Sequence, residues 1–193
     1  MQHSTRARRW IIAFAVSLLV IVMCGLFPGS AHTQQINERA RAVAVEWLLS
    51  NCEVGEGTRL RSQLQQFKAE LEPFFLQALQ QGPDDKQLSD LQRASETRYQ
   101  QRQEVLKSDR LPLKDEDRKA AQAITREQYI AQEKEDFVLR YKSQAVAGLG
   151  IIGGPKAKTV LQLLSKDEKS PLKVSALEAL KNIGGAAKKQ GPR

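Results

Sequence analysis

The sequence predicts an all-α protein, a helical bundle or set of hairpins behind an N-terminal export signal or single membrane anchor. Apolar residues recur at the 3.6-residue helical period along most of the chain. No convincing run alternates apolar and polar residues, and Gly and Pro cluster at a few points that punctuate the helical stretches. With 193 residues, 41% of them apolar and 27% charged, the chain has enough apolar material for one or at most two globular domains. Two Cys cannot by themselves supply a disulfide framework or a four-ligand zinc site.

The export reading rests on the first 31 residues. Arg6, Arg8 and Arg9 precede an uncharged run over residues 10–27 that only Ser17 interrupts. Gly29 and Ala31 then stand at the −3 and −1 positions that a signal peptidase accepts, so the predicted cut follows Ala31. The run is longer than a usual h-region and slightly short of a comfortable span, which leaves an uncleaved anchor as the competing reading. Either way the remainder is expected outside the cytoplasm, in the periplasm or secreted. Cleavage leaves 27 basic and 22 acidic residues, and residues 154–193 hold nine basic against Asp167, Glu168 and Glu178. That basic end suits an anionic membrane surface or envelope polymer, while export argues against nucleic acid as a partner.

Ile36, Ala40, Val43 and Trp47 share one helical face, predicting a first helix from about Gln34 to Ser50, with Gly55 and Gly57 ending the connection. Thr58 is the expected N-cap of a second helix whose stripe runs from Leu60 to Leu79, kinked at Pro73 and stopped by Gly82-Pro83. Within it Leu71, Phe74, Phe75, Leu76 and Leu79 read as core packed on Trp47 and Leu48. Asp84 and Asp85 suit the start of a third, surface-lying helix with a narrow stripe. Asp115, Glu116 and Asp117 load the first turn of a long fourth helix reaching Leu149, whose apolar face is interrupted at Glu127 and Lys134, so a division or bend is expected near there. Arg98 and Arg102 fall on the seam a coiled coil would need, so residues 84–140 read as a helical hairpin.

The most specific signal is an internal repeat. Residues 141–154 (YKSQAVAGLGIIGG) align with residues 172–185 (LKVSALEALKNIGG) at an offset of 31. Each copy reads as an amphipathic helix ending at a Gly pair. Pro155 opens an intervening helix with Ala157, Val160, Leu161 and Leu164 facing the first, and Ser170-Pro171 supplies an N-cap and first-turn Pro for the next.

Ala145, Gly148-Leu149-Gly150, Ile152-Gly153, Ala157 and Leu161, followed by Pro171, Val174, Ala176, Leu177, Ala179-Leu180 and Ile183-Gly184, resemble HEAT-type helical repeats, in particular the short subclass named after phycobilisome lyases. Ser175 and Ser170 stand where that family has Arg and Asp. The resemblance covers about one and a half units, residues 137–185, and implies stacked helix pairs that offer a surface to a protein partner. One unit cannot bury both of its apolar faces, so the upstream helices are expected to cap it. The terminal helix either packs back on the body, the preferred reading, or leaves its outer face for a partner. The expected organisation is a signal or anchor over 1–31, a helical cap over 32–135, a HEAT-like α-solenoid segment over 136–185 and a disordered basic tail over 186–193.

Chemistry is poorly provided for. Gly148 to Gly153 spells G-x-G-x-x-G, but a charged helix precedes it where a dinucleotide fold needs a strand, and the repeat already accounts for the glycines. Cys52 and His32, the sole thiol and imidazole after cleavage, do not build a catalytic dyad or a metal cluster. The acidic pairs lie mostly at helix starts, where the dipole explains them. No catalytic, cofactor-binding or metal-binding residue is assigned and no cofactor is expected. The expected function is a non-catalytic scaffold or adaptor of the cell envelope that acts by protein–protein interaction, with Lys166, Lys169, Lys173 and Lys181 as its docking surface. The repeat subclass also implies an alternative, a lyase acting on a tetrapyrrole-carrying protein. A further alternative is a membrane-tethered structural element.

Overall fold

The computed structural model describes residues 37–50, 56–108, 112 and 114–188, and among them all regular structure is helical. The elements are α1 (Glu38–Leu49), α2 (Glu56–Gln66), α3 (Lys68–Gln81), α4 (Asp85–Lys107), α5 (Asp115–Ala123), α6 (Arg126–Ile152), α7 (Pro155–Lys166) and α8 (Lys173–Lys188). The predicted all-α class is therefore correct. The apolar run over residues 10–27, together with His32 and Cys52, lies outside the described residues, and no described helix is long and apolar enough to cross a membrane.

Helix α6 is the axis of the fold, packing against α1, α2, α3, α4, α7 and α8. Its C-terminal half is buried almost all round, through Tyr141, Ala145, Val146, Leu149 and Ile152. Leu60 and Leu64 of α2 and Leu71 and Phe75 of α3 join the same core, so the dense aromatic patch is core, as its composition suggested. Phe74 meets Phe75 edge-on at 5.9 Å and stays partly exposed. Trp47 anchors α1, its indole Nε1 donating to the Gln144 carbonyl at 2.8 Å. A buried indole N–H thereby finds an acceptor inside an otherwise apolar contact.

Several boundaries differ from the sequence expectation. The helix expected from Thr58 begins at Glu56 and takes in Gly57 and Thr58, whose carbonyl accepts the Ser62 hydroxyl. The second helix, expected to run on to Leu79 with a kink at Pro73, divides at Phe67, and Pro73 lies in the second turn of α3. The long fourth helix divides at Ile124 and Thr125. Thr125 closes a capping box with Gln128, which makes a new helix start there more stable than a continuous helix. Asp84 does the same for α4 with Gln87.

Helix α4 and the N-terminal half of α6 run antiparallel, as the pairs Arg98–Glu133 and Tyr99–Tyr129 require. This is the hairpin predicted for residues 84–140. Its short link α5 has no buried residue and is tied down by Arg118, whose Nη1 donates to the carbonyls of Leu106 and Ser108, both at 2.9 Å. A cation on the last carbonyls of α4 satisfies backbone acceptors that the helix itself leaves open.

Candidate functional site

The repeat lies in the C-terminal half of α6 and in α8, with α7 between them. A Cβ on Gly150 would meet Ala179, and one on Gly153 would meet Ile183. Both contacts join residues 29 or 30 apart, so α8 runs parallel to α6, shifted by one repeat. Three equivalent pairs share their burial: Tyr141 and Leu172, Ala145 and Ala176, and Gly148 and Ala179 are all buried.

The glycines that spell the dinucleotide pattern are packing devices. A Cβ at Gly148 would stand 2.8 Å from the Phe75 ring, and one at Gly150 would stand 2.7 Å from the Ala179 Cα. Gly153 ends α6 in the left-handed conformation at φ 68°, where a side chain would be strained. Gly154 leaves room for the Glu72 carboxylate, whose Oε1 accepts from the Ala157 N–H at 2.7 Å. The N-terminus of α7, which has no side-chain cap of its own, is thus capped by a carboxylate from α3. With a helix before the glycines and their space filled by protein, no phosphate cradle is formed.

The four predicted lysines are not one cluster. Lys166 is exposed in the last turn of α7 and Lys169 in the following turn. Lys173 opens α8 and pairs with Glu168 at 2.6 Å. Asp167 shares this turn and accepts the Lys169 N–H at 3.0 Å, so two carboxylates accompany three ammonium groups there. Lys181 is exposed further along α8, eight residues and about 12 Å beyond Lys173. The C-terminal end is basic in number, and Asp167 and Glu168 offset part of that charge in the turn between α7 and α8.

The more informative surface is apolar. Val146 of α6 is fully buried, whereas its repeat equivalent in α8, Leu177, is 43% exposed, and Val174 beside it is 73% exposed. Lys181 stands at the repeat position of Gly150. The face by which α6 receives α8 is thus displayed again on α8, with nothing packed on it among the described residues and a lysine where α6 has no side chain. Sequence periodicity showed these residues as a match to the repeat but not that they stay exposed in α8.

A second apolar surface is an open groove of about 740 Å³ between the N-terminal half of α6 and the start of α8, floored by Ala131, Val138, Leu139, Pro171 and Leu172 and flanked by Lys134, Glu135 and Lys142.

The two Gly pairs also differ. Helix α8 passes through Gly184 and Gly185 to Lys188 and does not end there as the first copy does. The expected tail over 186–193 is therefore helical as far as Lys188, and residues 189–193 lie outside the described residues. Ser170 holds the entrance to α8 as expected, its Oγ accepting from the Leu172 N–H at 3.2 Å. Among the described residues no three His, Cys, Asp or Glu gather to hold a metal ion. Asp84, Asp85, Asp115, Glu116 and Asp117 sit at or in the first turns of their helices.

Burial pushes the Tyr141 phenol above its ordinary value of 10.0, the Gln87 side chain opposing the rise by hydrogen bonding and Asp84 adding to it.

No protein-family profile, curated protein or solved structure matches the chain.

Proposed function

We propose that the protein is an exported helical-repeat adaptor of the cell envelope that acts by binding another protein, not by catalysis, and that the outer face of α8 is its docking surface. The observation that carries this reading is the contrast between buried Val146 and exposed Leu177 at the same repeat position. Stacked helical units bury their apolar faces on their neighbours, and a terminal unit normally carries a polar outer face. Among the described residues α8 keeps Val174 and Leu177 exposed, a patch of the kind that marks interaction sites.

Lys181 replaces the glycine that close stacking of a further identical unit would need. The partner is therefore a different surface, apolar opposite Leu177 and acidic opposite Lys181, with Lys166, Lys169 and Lys173 at its edge. The HEAT-like resemblance agrees with this use, and the leader of basic residues, apolar run and small residues supports export.

The test is in-cell crosslinking of the tagged full-length protein, followed by mass spectrometry of the captured protein and of the bait's N-terminus. An extracytoplasmic protein linked through Lys166, Lys169, Lys173 or Lys181 is expected, together with a bait beginning at His32. Val174→Glu with Leu177→Glu should abolish the capture without loss of helicity, and reversing the four lysine charges should weaken it. Capture that both variants leave unaltered overturns the assignment. Retention of residues 1–31 would move the function toward membrane tethering.

A further inference from the structure

A pocket of about 360 Å³ lies where α2, α6 and α8 converge, and its lining includes Arg61, Arg140, Ser143, Ser175, Glu178 and Asn182. It occupies the seam between the stacked repeat helices, beside Ala147 and Ala179, away from the outer face of α8. The two guanidinium groups come from positions 79 apart in the chain, so only the fold brings them together.

Two features of this pocket suit it to an anion. Arg59, Arg93, Arg98 and Arg126 are each paired with a carboxylate, whereas Arg61 and Arg140 pair with none among the described residues. Glu178, on the same wall, lies beyond ion-pair distance of both. Arg140 rests over the Phe137 ring at 5.6 Å, a cation–π contact that holds the guanidinium without a carboxylate.

The second feature is uncommitted hydroxyls. Elsewhere Ser62, Thr97, Thr159 and Ser165 donate to carbonyls of their own helices. Ser143 and Ser175 are half-buried, and neither they nor Asn182 forms a side-chain hydrogen bond among the described residues.

We infer that this pocket binds a small organic anion through a carboxylate or phosphate group. Guanidinium edges match the planar or tetrahedral oxyanion and give charge-assisted hydrogen bonds, and the hydroxyls and amide supply further donors. The volume is at the small end of ligand pockets and holds an anion with a short carbon skeleton. Ala147 and Ala179 offer that skeleton an apolar wall. Glu178 leaves the pocket one net positive charge.

Titration calorimetry of the full chain with inorganic phosphate and with citrate, at constant ionic strength held by chloride, tests the site. Saturable binding of at least one anion is expected. Arg61→Gln and Arg140→Gln should each weaken it about tenfold or more, the usual effect of losing a hydrogen bond to a charged group. Glu178→Gln should tighten it, and Arg93→Gln, on α4 and paired with Asp90, should leave it unchanged. Equal far-UV circular dichroism of all variants separates loss of binding from loss of fold. Absence of saturable heat with both anions overturns the inference, as does unchanged affinity in Arg61→Gln and Arg140→Gln. A blocked glutamyl peptide identifies the source of the anion: tighter binding than citrate assigns the group to a protein partner's side chain, and weaker binding assigns it to a free small molecule.

Discussion

The two halves of α6 are held in contrasting ways. From Tyr141 onward the helix packs through glycine, alanine and ring contacts, with Phe75 against Gly148 and Ala179 against Gly150. Over its first half it faces α4 through the ion pairs Arg98–Glu133 and Arg126–Glu96, the Tyr99–Tyr129 ring contact and the Arg102 guanidinium 5.6 Å from the Tyr129 ring centre. Buried side chains in α4 are confined to Ser95 and Leu106. One helix therefore serves as the spine of a dry core and as one arm of a wet hairpin. Close packing of apolar surface supplies most stability, and exposed ion pairs contribute about 0–1 kcal/mol each. The C-terminal unit is thus the stable body, and the hairpin depends on it for its position.

Gly150→Leu should have the largest effect. Its Cβ would fall on backbone atoms of Ala179, so α8 must separate from α6, at a cost of about 3 kcal/mol or more. Urea denaturation followed by far-UV circular dichroism measures this as a lowered midpoint, and an unchanged midpoint would show that α8 does not cross α6 at this glycine.

Replacing both Arg98 and Arg126 by Gln should cost about 1 kcal/mol or less. The parent protein's stability should fall slightly with added salt as these pairs are screened, and the double variant should lose that dependence. A drop as large as that of Gly150→Leu would contradict the division between the two halves.

The smallest effect belongs to the joint between them, where Tyr141 meets the start of α4. With the phenol pushed above 10.0 in the folded state, the unfolded chain releases its proton first as pH rises. The unfolded state then binds fewer protons than the native one, and stability declines above about pH 10. Tyr141→Phe should flatten that decline in denaturation midpoints measured from pH 8 to 11, and an unaltered slope would mean that Tyr141 is not the group responsible.

Much of the architecture was legible because it is local. Asp84 with Gln87 and the Gly153-Gly154 pair act within a turn of their own positions. The 31-residue offset showed which residues are equivalent, since repeated burial imposes repeated side-chain size. The division at Phe67 was not legible because no Gly or Pro marks it in the sequence. The lysine surface was read as continuous because counting charges along the chain takes no account of Glu168 folding onto Lys173.

The chain alone specified helices, most of their stops, the core face of each and the repeat, all consequences of short-range sterics and of the 3.6-residue period. Tertiary structure decided the rest: the Glu72 cap on α7, the exposure of Leu177 where Val146 is covered, and the meeting of Arg61 with Arg140. Each of these joins residues from different helices or depends on whether a neighbouring helix is present. No local pattern encodes such pairings, because they arise when the apolar faces of separate helices are buried together and the polar groups between them are carried into place.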